Sequence, residues 1–344
     1  MGCESRGLPG GDHAPPTPCR RNAICGVVAV LGSRLPDVPD VQFDRIDVTD
    51  WEVYRDETSG VEAKMWLVPP EATGPALWLF KSVTADGAYE CGEDWAEKAA
   101  AEVGAVMGVP CAAVDLAALR GVRGSISADL CPMGSEMQHG TLLMQDRGVR
   151  DYVPGRARGR PGHTLENIQL VLADALPPPG CELPFEATAF DIFAGFMVFD
   201  AIIANRDRHD ENWAVLLPIT SEGPTRLCGS YDHANSLGYN LDDARRSMYL
   251  DRKDGILGWC RKGTAHRFQY TPGKSPQTLV QAAVRALRLA SEEARSYWPR
   301  RVEELTEERI RSVTGRLPGM SVPAHTFATE VLLTNRKRVL DACA

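Results

Sequence analysis

Asp207 and Asn212 stand five positions apart in the run Asn205-Arg206-Asp207-Arg208-His209-Asp210-Glu211-Asn212. An apolar stretch of helical rhythm ends at Ile203 before it, and an apolar, strand-like stretch from Trp213 to Leu217 follows it. Charges held between two buried elements must be paired or must bind an ion, so a polar knot here has chemical work to do. The spacing D-x-x-x-x-N is that of a phosphoryl-transfer loop, where the Asp takes the proton of an attacking hydroxyl and the Asn holds Mg2+. Two polar residues at one spacing also occur by chance, so the reading depends on what neighbouring elements bring to the loop.

Five further stretches bear on it. A turn-rich segment, Pro218 to Thr225, separates the strand from a second one ending at Tyr231-Asp232, and such a hairpin returns Asp232 to the mouth of the loop. Mg2+ takes oxygen ligands and leaves part of its shell to phosphates, which suits Asp232 together with Asn212. Lys81 closes the apolar strand Ala76 to Phe80; it either carries its charge to solvent or neutralises nucleotide phosphates. Glu93 to Met107 repeats apolar residues at helical spacing, with Glu97 on a face of small residues, Ala101, Gly104 and Ala105. Those small residues would let a strand approach and place Glu97 beside Lys81 as its orienting partner; the other reading is a solvated glutamate. The hairpin turn Thr58-Ser59-Gly60 either lies over phosphates through its backbone N–H groups or is a plain turn, since it lacks a G-x-G-x-x-G pattern. Gln138 to Met144 reads as the last strand of the first sheet, with an adenine-cradling hinge over Leu143 to Asp146 that includes Met144.

The elements arrange these residues as an α+β chain. We expect a flexible extension over 1–40, a β-rich lobe over 41–146, and a helical lobe carrying the loop over 147–344. The 344 residues, 44% hydrophobic and 24% charged, suffice for two packed lobes. A net charge of −8 argues against nucleic acid as partner. No apolar run approaches the roughly 18 residues of a membrane span. The 10 cysteines contain no C-x-x-C pair, which points to reduced core thiols, a cytoplasmic setting and no zinc site. Arg150, Arg156, Arg158 and Arg160 punctuate the Pro- and Gly-rich segment 148–162, as a solvated loop or as a docking surface for an acidic or phosphorylated partner.

Taken in chain order, the motifs resemble those of HipA-like kinases, particularly compact bacterial HipA-domain proteins. The matching stretches are Leu77-Trp78-Leu79-Phe80-Lys81, Gly92 to Lys98, Gly108-Val109-Pro110, Arg123-Gly124-Ser125-Ile126-Ser127, Asn205 to Asn212, and Tyr231 to Gly238. The run Asp207-Arg208-His209 also resembles that of phosphatidylinositol kinases. The resemblance implies a two-lobed protein-kinase-like fold that binds ATP between its lobes. Lys81 would hold phosphates, Glu97 would orient Lys81, Asp207 would be the base, and Asn212 and Asp232 would hold Mg2+. The acceptor implied is a Ser or Thr hydroxyl of a protein or peptide, or else a small-molecule hydroxyl. Two other classes stay open: a metal-dependent hydrolase using Asp207, His209, Asp210 and His233, and a pseudokinase that only binds nucleotide.

Overall fold

The computed structural model describes residues 41–57, 64–70, 77–87, 89–155, 158–220 and 222–344. Thr58, Ser59 and Gly60 lie outside the described residues, as do Arg156 and the expected extension 1–40. The first half supplies β1 (Arg45–Asp47), β2 (Glu52–Glu57), β3 (Lys64–Val68), β4 (Trp78–Ser82), β5 (Ala85–Asp86), β6 (Tyr89–Glu90), α1 (Glu93–Met107), β7 (Val114–Leu119) and β8 (Val122–Ala128). Six of these strands form one sheet in the order β1-β7-β8-β4-β3-β2. β1 runs parallel to β7, and the other neighbours are antiparallel. Alternation explains the sheet's core: Leu67, Phe80, Ala117 and Ile126 point to one face and close over Val48. Gly124 faces the end of β4. A Cβ there would lie 2.2 Å from the Lys81 carbonyl oxygen, so glycine is what lets β8 close on the strand that carries the lysine.

α1 spans the residues that its periodicity marks out. Glu93 and Asp94 in its first turn suit the helix dipole, and Gly108 ends it in the left-handed conformation at φ 69°. One side of α1 rests on β7 and β8, and other sides meet α4, α8 and α9 of the second half. β4 does meet α1, but not at Gly104 and Ala105 of the small-residue face. Gly104 instead faces Cys111, whose Sγ would stand 2.8 Å from an added Cβ, and Ala105 is exposed.

The second half contains β9 (Ser135–His139), α2 (Gly140–Asp146), α3 (Leu165–Val171), α4 (Ala189–Ile203), β10 (Ala214–Pro218), β11 (Arg226–Leu227), α5 (Asp243–Leu250), α6 (Gly255–Arg261), α7 (Leu279–Leu289), α8 (Glu292–Glu304), α9 (Glu307–Gly315) and α10 (Val322–Cys343). β9 does not extend the first sheet. It pairs antiparallel with β10 in a separate sheet ordered β11-β10-β9. The strand expected as far as Met144 stops at His139, because Leu142 is exposed while Leu143 and Met144 are both buried, a one-sided pattern that suits a helix and not a strand. α5 and α6 occupy a segment that reads as polar linker. Asp242 caps α5 through the Arg245 amide at 2.8 Å.

α4 is the axis of this half. Thr188 and Asp191 form a capping box at its start, every residue from Ala189 to Ile203 is buried, and α7, α8 and α10 pack around it. Among the described residues, no helix is long and apolar enough to cross a membrane.

Candidate active site

α4 stops at Ala204, which turns left-handed at φ 58° and throws the chain into the polar loop. Buried ionic contacts set the loop's shape. Arg208 grips Asp200 of α4 with two nitrogens, Nε and Nη2, each at 2.8 Å. Its Nη1 donates to the Asn212 carbonyl at 2.6 Å, and its Nη2 also donates to Ser230 Oγ at 2.8 Å. Asn205 Nδ2 joins Asp200 at 2.8 Å. A buried ion pair holds its place only when its remaining donors and acceptors are matched, as they are here. The loop is thereby pinned to the helix before it and to the strand after it.

Four side chains surround Asp207. Its backbone N–H donates to Asn205 Oδ1 at 3.0 Å, and the Asn212 Nδ2 donates to its carbonyl at 2.9 Å. Asn235 Nδ2 donates to carboxylate Oδ2 at 2.8 Å. Arg267, from the segment between α6 and α7, places Nε and Nη2 on Oδ1, each at 2.6 Å. His209 is buried and accepts the Glu211 amide at Nδ1, 3.2 Å away, so its role is to shape the loop. Burial pushes its imidazole below the ordinary value while the charge of Asp207 opposes the shift.

The hairpin brings Asp232 to this loop. Asp232 adopts φ 60°, a conformation sparsely populated outside glycine and concentrated at functional sites. Lys81 Nζ sits 2.7 Å from Asp232 Oδ1. Burial raises the Asp232 carboxyl's pKa, but Lys81, Lys64 and His233 outweigh it and hold the group well below the usual carboxylate range. Glu97 stands behind this pair. Its Oε1 accepts the His233 amide at 2.9 Å, and His233 Nε2 meets Ser230 Oγ at 2.7 Å. Burial would raise Glu97, but the His233 hydrogen bond and the charge of Lys81 keep it ionised and below its ordinary value. Asp200, Arg208, Ser230, His233 and Glu97 thus form one continuous polar chain from α4 to α1, beside the Lys81–Asp232 pair.

A divalent cation fits this arrangement. Asn212 commits its amide nitrogen to the Asp207 carbonyl, and among the described residues its Oδ1 makes no hydrogen bond. Asp232 keeps 28% of its side chain exposed and is ionised. Two hard oxygens on one rim match the few protein ligands that Mg2+ takes beside phosphates.

No protein-family model and no curated protein sequence matches the chain. Among solved structures, the Helicobacter pylori proinflammatory kinase CtkA superimposes with a TM-score of 0.66 at 15% identity, over 87% of this chain and 97% of that one. The fold is kinase-like. A chain of the Shewanella oneidensis MR-1 toxin–antitoxin complex of HipA and HipB with operator DNA also matches, with a TM-score of 0.49 at 13% identity, over 85% of this chain and 66% of that one.

Within this kinase-like fold, several expectations change. Among the described residues Lys81 pairs with Asp232, while Glu97, near enough to feel the Lys81 charge, holds the amide of the neighbouring His233. Met144 lies on no hinge: it is buried inside α2, against the helical core, and is not open to a base. The hydrolase set does not assemble either. Asp210 is occupied by Arg160 and Tyr152, and His233 by Ser230 and Glu97. Among the described residues no group of three or more His, Cys, Asp or Glu is placed to hold a metal. Residue spacing gave no sign of Arg267, 60 positions from Asp207 in sequence. Asn235 lies in the Tyr231 to Gly238 motif, where its type and place next to Asp232 were the available signal.

Proposed function

We propose that the chain is an ATP-dependent kinase that transfers a phosphoryl group to a Ser or Thr hydroxyl of a protein or peptide. One observation supports the reading: Asn212 and Asn235 both hydrogen-bond Asp207, and Asp232, three residues before Asn235 in the same segment, pairs with Lys81. In this reading Asp207 accepts the hydroxyl proton, and Lys81 releases Asp232 to meet phosphate oxygens. Glu97, ionised and fixed by His233, keeps the Lys81 charge near the rim. Asn212 and Asp232 would hold Mg2+, which supplies neutralisation of the phosphate charge.

The test is incubation with γ-labelled ATP and Mg2+, beside Asp207→Ala and Asp232→Ala. The wild type is expected to transfer label to itself or to protein in an added lysate. Asp207→Ala should keep nucleotide binding and lose transfer by at least about a hundredfold, the low end for removing a general base. Undiminished transfer by Asp207→Ala would overturn the assignment.

A further inference from the structure

Beside Asp207, three separate segments bring basic side chains together. They are the loop with Arg158, the catalytic loop at Arg206, and the segment Thr264 to Tyr270 with His266 and Arg267. Gly159 N–H donates to the His266 carbonyl at 2.8 Å, which ties the first segment to the third. Arg206 and Arg267 lie together against Ala265 and Phe268. Buried His163 fixes the third segment: it stacks on Phe268 with ring centroids 4.6 Å apart, and its carbonyl takes the Gln269 amide at 2.9 Å.

Arg158 and Arg206 are exposed, and among the described residues neither has an acidic partner. The like charges act on one another. Burial and then the Arg158 charge hold Arg206 below the ordinary arginine value. Burial, and then Arg267, Arg206 and Arg158, push His266 down. In a chain with a net charge of −8, Arg158 and Arg206, exposed and without acidic partners among the described residues, stand beside Arg267 and the imidazole of His266, and together they offer donors to an anion. The carboxylate that Arg267 has found is that of Asp207 itself.

We propose that Arg158, Arg206, His266 and Arg267 form the acceptor-side anion site, which takes a carboxylate or phosphate carried by the peptide segment that presents the hydroxyl. This rests on the proposed kinase reading and adds its substrate class. A guanidinium offers paired N–H donors that suit either anion. With no acceptor bound, Asp207 is the anion that Arg267 holds. An acidic acceptor replaces Asp207 on Arg267, and Oδ1 is then open to receive the hydroxyl proton. The base becomes available when the matching acceptor occupies the site.

The test uses fluorescein-labelled serine peptides, identical except for Asp, phosphoserine, Ala or Arg next to the serine. Binding to the full chain is read by anisotropy, and phosphotransfer from γ-labelled ATP is read in parallel. At least tenfold tighter binding of the Asp or phosphoserine peptide than of the Ala peptide is expected, and the stronger of the two names the source of the anion. In the double variant Arg158→Ala, Arg206→Ala, the preference should fall to within twofold. Equal binding of all four peptides, a preference that survives in the double variant, or equally tight binding of a single-stranded oligonucleotide of the same charge overturns the proposal. Acidic preference in binding with no transfer to any peptide would count against the kinase reading and leave the anion site standing. Transfer without acidic preference would do the reverse.

Discussion

Lys81 reaches the rim because β4 ends there, and its ammonium is already paired with a carboxylate at 2.7 Å. A charge-assisted contact of this kind is worth about 1.5–3 kcal/mol, so Lys81→Ala should weaken ATP binding about 10- to 100-fold. Equilibrium dialysis or calorimetry with ATP would measure it, and unchanged affinity would remove Lys81 from the nucleotide site. His163 permits a different kind of test. Burial drives its imidazole down to about 4, and its Nε2 accepts the Trp213 indole N–H at 3.2 Å. The folded protein therefore keeps His163 neutral where the unfolded chain, with an ordinary value near 6.5, takes up a proton. Stability from this group is complete above about pH 6.5 and is lost as pH falls towards 4. A shift of this size is linked to about 3 kcal/mol. Burial also holds His209 and His266 below their ordinary values, which adds loss in the same direction. Urea unfolding at stepped pH should show this decline, and His163→Asn should flatten most of it. Stability that rises on acidification from pH 6.5 to 5 would contradict the assignment.

The central element is α4 with the loop it launches. Its length and burial were readable from near-continuous apolar sequence, and the loop residues from their spacing. What spacing cannot express is which distant side chains complete them. Asp200 reads as one polar residue in an apolar helix, yet it anchors the loop through Arg208. Arg267 and Met144 were out of reach for opposite reasons. Arg267 arrives from a segment that looks like linker, and the helix around Met144 begins where an apolar run looks like a strand. Arg208→Ala should cost about 3–5 kcal/mol, since it leaves Asp200 buried and unmatched; chemical denaturation would report it. Gly195 sits where a Cβ would lie 2.3 Å from the Trp298 ring, so Gly195→Ala should cost about 1–3 kcal/mol of overpacking despite its better helix propensity. A variant with raised thermal stability would show that the helix and ring do not meet as described.

At the scale of the molecule, α1 belongs to two packing systems. Trp95, Ala96, Ala99, Ala100 and Val103 join the large helical core, while the same helix covers β7 and β8 of the six-stranded sheet. The two halves that the sequence separates by composition therefore share an element, and they should unfold together. Calorimetry is expected to give one transition whose calorimetric and van't Hoff enthalpies agree. Two resolved transitions would show that α1 parts from one side first.

The anchoring of α1 also limits how fast and by what means the protein can be switched. Gly92 N–H is tied to the Tyr239 carbonyl at 3.0 Å, Lys98 to the Val114 carbonyl at 2.8 Å, and Arg301 caps the Met107 and Val106 carbonyls at 2.9 and 2.8 Å. In kinase folds, swinging this helix is one route between inactive and active forms. Here such a swing would break contacts at both ends at once. In the proposed route the parts that move are side chains, Arg267 off Asp207 and Lys81 off Asp232, and side-chain rearrangements run in picoseconds to nanoseconds, whereas collective motions take microseconds to milliseconds. Progress curves started by adding acceptor should be linear from the first instant, with no lag while a domain reorganises.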